Sequence, residues 1–244
     1  MGFLYPTLPA MAAGRAGTSG WSYREWVGPF YPERTPSSRL LEHYAATLST
    51  VEAHATYRRR PVPSTLTAWR AAVPDHFRFA PKAHAAITHQ RELAGVEDRV
   101  AAFFEGLATL GPQLGPVMFQ LPHRQPDLLR LDRLLAAIPD RALTAFELHP
   151  DWHVPEVLTR LDGAGATLVL VDADGAAAPD IEVGAFAYVR LRRHGYGEPE
   201  LAEWIERLQR MRSGGRDVYV YVRHDDAGVA PQVASRLQEA LTDH

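Results

Sequence analysis

Eight short apolar runs alternate with longer amphipathic segments, no linker or repeat divides the chain, and charged residues recur where the apolar runs end. Together these predict an α/β fold, a single-domain (βα)8 TIM barrel with a parallel sheet inside and helices outside. Strands are expected near Ala16–Ser19, Leu48–His54, Phe77–Lys82, Val117–Leu121, Ala142–Leu148, Thr167–Asp172, Ala185–Leu191 and Val218–Val222. Each is short, apolar and bounded by turn residues, as strands buried on both faces are.

The segments between them carry helical spacing. Ser38–Ala45 follows the cap-like Pro36-Ser37, and Val100, Phe103, Phe104, Leu107 and Leu110 recur at intervals of three and four. Further helices are expected over Thr65–Ala72, Leu128–Ala137, Pro155–Leu161, Glu200–Met211 and Val229–Leu241, several with glycine just beyond the end, where left-handed caps fall. A doubly wound open sheet is the competing arrangement, but no Gly-x-Gly-x-x-Gly follows the first strand.

Composition narrows the function. The 244 residues are 46% hydrophobic and 23% charged, enough to bury a large core. A net charge of −3 argues against a surface devoted to nucleic acid. With no cysteine, disulfides, thiolate metal sites and a cysteine nucleophile are excluded. Residues 1–13 read as an N-terminal tail before a domain over 14–244; Pro6, Pro9 and the lack of a basic start make a poor signal peptide. No apolar stretch approaches the roughly 20 residues a bilayer requires, so the expected location is the cytoplasm, away from membranes.

In a barrel of this kind the loops after the strands build the site. There the sequence places Glu52 and His54, Lys82, Gln120, Glu147 and His149, Asp172 and Asp174, Arg190 and Arg192, and His224 with Asp225. Residues two apart on a strand share a face, so Glu52/His54 and Glu147/His149 each aim a carboxylate and an imidazole the same way. A buried salt-bridge network would also satisfy these charges. The two Glu-x-His pairs are acceptable ligands for zinc or manganese, but the ligands come from separate strands and basic residues lie among them. No metal or other cofactor is therefore expected, with a divalent cation as the weaker option. Arg58–Arg60 and the Arg190–Gly197 stretch favour an anion instead. Thr18, Ser19 and the loop aromatics led by Trp21 are candidate ligand contacts, and neither a Gly-x-Ser-x-Gly elbow nor a P-loop is present.

Gly17-Thr18-Ser19-Gly20-Trp21-Ser22-Tyr23, Trp26, Phe30-Tyr31-Pro32, Thr50-Val51-Glu52, Phe77-Arg78-Phe79-Ala80-Pro81-Lys82, Ile87-Thr88-His89, Phe119-Gln120-Leu121-Pro122, Glu147, Trp152, Asp172 and Tyr188-Val189-Arg190 resemble the DUF72 (YecE-like) family. The resemblance runs from Gly17 to Leu241. It implies a TIM barrel and no established activity. It also implies a polar set of Glu52, Lys82, His89, Gln120, Glu147, Asp172 and Arg190 around the mouth. His54 stands where the family usually has Asn, and His149 where it usually has Arg.

The expected protein is an enzyme for a small anionic or phosphorylated, sugar-like molecule. Glu52, Lys82, His89, Glu147 and Asp172 form the catalytic set, while Thr18, Ser19, Trp21, Gln120, Arg190 and Arg192 bind substrate. An endonuclease IV-like nucleic-acid-processing barrel and a non-catalytic ligand-binding barrel are the alternatives. Oligomeric state is left open.

Overall fold

A computed structural model of the protein describes residues 12–60, 62–89, 95–122, 124–140 and 142–242. The expected N-terminal tail therefore lies outside the described residues except for Ala12 and Ala13. Those two are held in place: Arg212 Nε donates to the Ala12 carbonyl at 2.9 Å, and the Ala13 amide donates to Asp217 Oδ1 at 2.7 Å.

All eight expected strands form: β1 Gly14–Thr18, β2 Thr50–Ala53, β3 Arg78–Pro81, β4 Val117–Gln120, β5 Thr144–Glu147, β6 Thr167–Asp172, β7 Phe186–Leu191 and β8 Asp217–Val222. The helices are α1 Leu40–Ala45, α2 Ala55–Arg58, α3 Pro63–Ala71, α4 Ala85–Thr88, α5 Val96–Leu107, α6 Leu128–Ala137, α7 Pro155–Gly163, α8 Glu198–Ser213 and α9 Val229–Thr242. Two of them, α2 and α4, are single turns with no sequence period to announce them. Among the described residues the β6–β7 connection carries no helix.

The strands pair in parallel as a curled six-stranded sheet, in the order β1-β8-β7-β6-β5-β4, and a two-stranded sheet of β2 and β3. Isolated parallel bridges join the two: Ser19 to Glu52 on one side, Phe79 to Leu114 and Lys82 to Met118 on the other.

Strand alternation separates two cores. Ala80, Met118, Ala145, Val169, Val171, Phe186, Tyr188, Tyr219 and Tyr221 pack on the inner face of the sheet. Their neighbours in sequence, including Phe79, Phe119, Phe146, Leu170, Val189 and Val220, face the helices. Hydroxyls on the inner face are paired. Thr50 Oγ1 donates to the Arg78 carbonyl at 2.7 Å and lies 2.8 Å from Tyr221 OH, as buried polar atoms require.

Gly17 marks where β1 crowds β2. A Cβ built there would lie 2.0 Å from the Thr50 carbonyl oxygen, a backbone atom that cannot swing aside. Gly17→Ala should therefore cost about 1–3 kcal/mol or more through overpacking, read as a lower denaturant midpoint. A wild-type midpoint would show that the two strands separate freely.

Candidate functional site

Above the inner tyrosines, five strands contribute one side chain each to a continuous polar chain. Lys82, just beyond β3, donates from Nζ to Gln120 Oε1 at 2.6 Å. Gln120 on β4 donates from Nε2 to Glu147 Oε1 on β5, also at 2.6 Å. Glu147 Oε2 accepts from Arg190 NH1 on β7, and Arg190 NH2 donates to Glu52 Oε2 on β2 at 2.9 Å. Strand register brings these side chains together: Gln120 sits opposite Glu147, and Arg190 is flanked by Val171 and Tyr221.

Glu52 is fully buried, and four donors converge on its carboxylate. Tyr188 OH reaches Oε1 at 2.9 Å, while Ser19 Oγ at 3.0 Å, Arg190 and His54 Nε2 reach Oε2. Burial alone would raise its pKa, but the nearby charges of Arg190 and His54 and the hydrogen bonds outweigh it and hold the carboxyl well below the usual range. Burial pushes the Arg190 guanidinium down, while Glu52 and Glu147 more than restore it. Arg190 Nε has no hydrogen-bond partner among the described residues.

Two further cations stand at the rim without a carboxylate. Lys82 makes no ion pair among the described residues, and its Nζ lies 4.4 Å from the centre of the Tyr57 ring. Burial first, then the charge of Arg190, lowers the pKa of Lys82 against the opposing pull of Glu52 and Glu147. Arg192 is half-buried and feels Arg190, Glu147 and Glu52, yet no side-chain hydrogen bond or ion pair satisfies it among the described residues. Lys82, Arg190 and Arg192 thus face only Glu52 and Glu147, an excess of positive charge.

The wall beyond Glu52 is aromatic. Tyr23 stacks on His224 at 4.7 Å with planes 6° apart and donates from its OH to the Ser19 carbonyl at 2.6 Å. Burial, helped by Glu52 and Glu25, pushes Tyr23 up to about 12. A groove of about 350 Å³ opens beside the polar chain rather than over it, between Arg193, His194, Tyr196, Arg223 and His224. Barrels often hold phosphate in this region. Here the first amides of α9 are already taken: Asp225 accepts from Ala227, Val229 and Ala230 at 2.7, 3.0 and 2.5 Å.

The structure gathers Ser19, Glu52, Lys82, Gln120, Glu147, Arg190 and Arg192, but not all the expected residues. Asp172 falls on the outer face, because the inner residue of β6 at this level is Val171. Its carboxylate is spent on Arg193, Tyr196 and Trp204, at 2.9, 3.0 and 3.2 Å. Thr18 Oγ1 bonds the Gly20 carbonyl at 2.7 Å and meets Tyr44 OH. Trp21 packs edge-on against the stacked pair of Trp69 and Phe79, on the helix side. His89 is exposed at the rim, 3.3 Å from the hydroxyl of Tyr57. His149 caps the turn at Pro150–Trp152, and Arg58–Arg60 are exposed at the end of α2. Tyr188 is the inner residue next below Arg190, and its role follows from the same alternation. Among the described residues, no three His, Asp or Glu side chains converge as a metal site, and no helix is long and apolar enough to cross a membrane.

These features define a parallel α/β protein with a charged cluster at the C-terminal ends of its strands. The model of the family described as "Protein of unknown function DUF72" matches residues 15–244, and the chain belongs to that family. The UPF0759 protein YecE of Escherichia coli K12 is 33% identical over 106 residues, a match spanning 43% of this chain and 36% of that protein. A DUF72 family protein of Thermotoga maritima superposes with a TM-score of 0.81 at 23% identity, over 95% of this chain and 100% of that one. One from Enterococcus faecalis gives 0.79 at 22% identity, over 95% and 96%. At these identities the two structures establish a shared fold.

Glu52→Gln should destabilise the protein by about 3–5 kcal/mol at pH 7, since it leaves Arg190 half-compensated in a buried site. The pH dependence has a definite sign. An unfolded glutamate titrates near 4.3, and the native group lies lower. Its contribution is therefore complete above about pH 5 and fades as pH falls through the native value. Denaturation curves from pH 7 to 3 should show a constant gap between wild type and variant down to about pH 5 that narrows below it without closing; a gap constant over the whole range would disprove the assignment.

Proposed function

We propose that the chain closes as an eight-stranded barrel and is an enzyme for a small anionic molecule held at the mouth by Lys82 and Arg192. The bridges at both edges of the two-stranded sheet support closure. One observation carries the functional reading: two partly buried cations that have no carboxylate partner among the described residues lie near Glu147, in a site with more positive than negative charge. A buried structural network would consume its own charges, as Glu52 and Arg190 do. Arg192 instead keeps its donors free for a phosphate or carboxylate.

The two carboxylates divide the work. Glu52, saturated with donors and held ionised, anchors Arg190 and carries no proton near neutrality. Glu147 is more open, its side chain 14% exposed, and is placed to exchange a proton with a bound molecule. Gln120 links it to the amine of Lys82.

Inorganic phosphate tests this directly. At a hundred times its dissociation constant it should add about 2.7 kcal/mol, a rise in Tm of roughly 5–10 °C for a protein of this size. The rise should be lost in Arg192→Gln, whose Tm without phosphate should match that of the wild type. No rise in the wild type, or an equal rise in the variant, would refute the anion site.

A further inference from the structure

We propose that Lys82 is an imine-forming lysine, whose amine condenses with the carbonyl carbon of a small substrate that also bears a carboxylate or phosphate. This rests on the anion site proposed above and names the substrate class for it. Lys82 is the only lysine in the sequence; the other 25 of its 26 Lys and Arg residues are arginines. For holding an anion the guanidinium is the better group, since its fork matches two oxygens. What it cannot do is lose a proton and offer a lone pair, because it stays charged at any working pH. The chain therefore meets every other need for a side-chain cation with arginine and places its single lysine amine at the end of the polar chain.

The surroundings suit that chemistry. Nζ hydrogen-bonds to a neutral amide oxygen, Gln120 Oε1, at 2.6 Å, and has no carboxylate partner among the described residues to trap it as an ammonium. The Lys82 amide donates to the Ala53 carbonyl at 3.2 Å, which ties the base of the side chain to β2. Burial and the positive charges of Arg190 and Arg192 work in the same direction and favour the neutral amine. Arg192 supplies the contact for the anionic end of the substrate.

The step balances without a redox partner. The nitrogen lone pair attacks the carbonyl carbon, forming a C–N bond as the C=O π electrons move to oxygen. The resulting carbinolamine then loses its oxygen as water, together with the two protons that began on the amine, and a C=N bond is left. Protonation of that imine makes it an electron sink for breaking a neighbouring bond, with Glu147 the nearest carboxylate along the hydrogen-bonded chain.

The test is reductive trapping of the full chain with sodium cyanoborohydride and either pyruvate or glyceraldehyde 3-phosphate, read by intact mass and peptide mapping. The N-terminal amine serves as the internal control. The expected result is one adduct on Lys82, formed faster than on the N-terminus. Trapping with pyruvate alone assigns a carboxylate partner, and with the phosphate alone a phosphate partner. Lys82→Arg should lose this adduct. Should that variant fail to fold, wild-type labelling still decides. Phosphate stabilisation with neither compound labelling Lys82 above the control would overturn the imine and leave the anion site standing; loss of both would overturn the two together.

Discussion

A guanidinium on the inner face of a curled sheet is costly to bury, and Arg190 is buried to 1% exposure above Tyr188 and Tyr221. Several kcal/mol of lost hydration must be offset by partners at close range. Glu52 and Glu147 supply them from opposite sides, and neither carboxylate would tolerate its own burial without the arginine. The consequences spread outward. Glu52 fixes Ser19, His54 and Tyr188, while Glu147 fixes Gln120 and through it the amine of Lys82. At the rim stand Arg192 and Lys82, which among the described residues have no carboxylate partner.

The rim around Glu52 owes its shape to aromatic packing. Trp26 donates from its indole to the Asp225 carbonyl at 2.7 Å, Tyr31 OH donates to the Trp21 carbonyl at 2.6 Å, and Tyr23 stacks on His224. The loop after β1 is thereby pinned to the loop after β8. Asp225 spends its carboxylate on the first amides of α9, so the helix end that would attract an external anion is filled from within. The anion site proposed above therefore rests on side chains rather than on a helix terminus.

Much of this was legible in the residues, and the differences have physical causes. Strands buried on both faces write themselves as apolar runs, so all eight were located, and β6 at Thr167–Asp172 needed no adjustment. Which side of a strand a residue faces is harder, because a run apolar on both faces carries no alternation to set the phase. Glu52, Glu147 and Arg190 lie at or one residue before the ends of their strands on the inner face, but Asp172 ends β6 on the outer one, where Trp204 and Tyr196 hold it. Thr18 and Trp21 looked like ligand contacts because they share a polar, glycine-rich stretch. Tyr44 and Trp69, distant in sequence, draw them into the outer packing. The single-turn helices α2 and α4 are too short to show a period.

The dependence of the mouth on Arg190 is tested most directly by a double-mutant cycle of Glu52→Gln and Arg190→Met, measured by denaturant unfolding at pH 7. Each single change breaks the Glu52–Arg190 pair and leaves one member behind, whereas the double change removes both members and leaves only the more open Glu147 without its arginine, so the account predicts strong coupling: the double variant should be more stable than the sum of the single losses by about 2–3 kcal/mol. Losses that add to within about 0.5 kcal/mol would mean that the two groups are independent, and would contradict the claim that one buried ion pair organises the site.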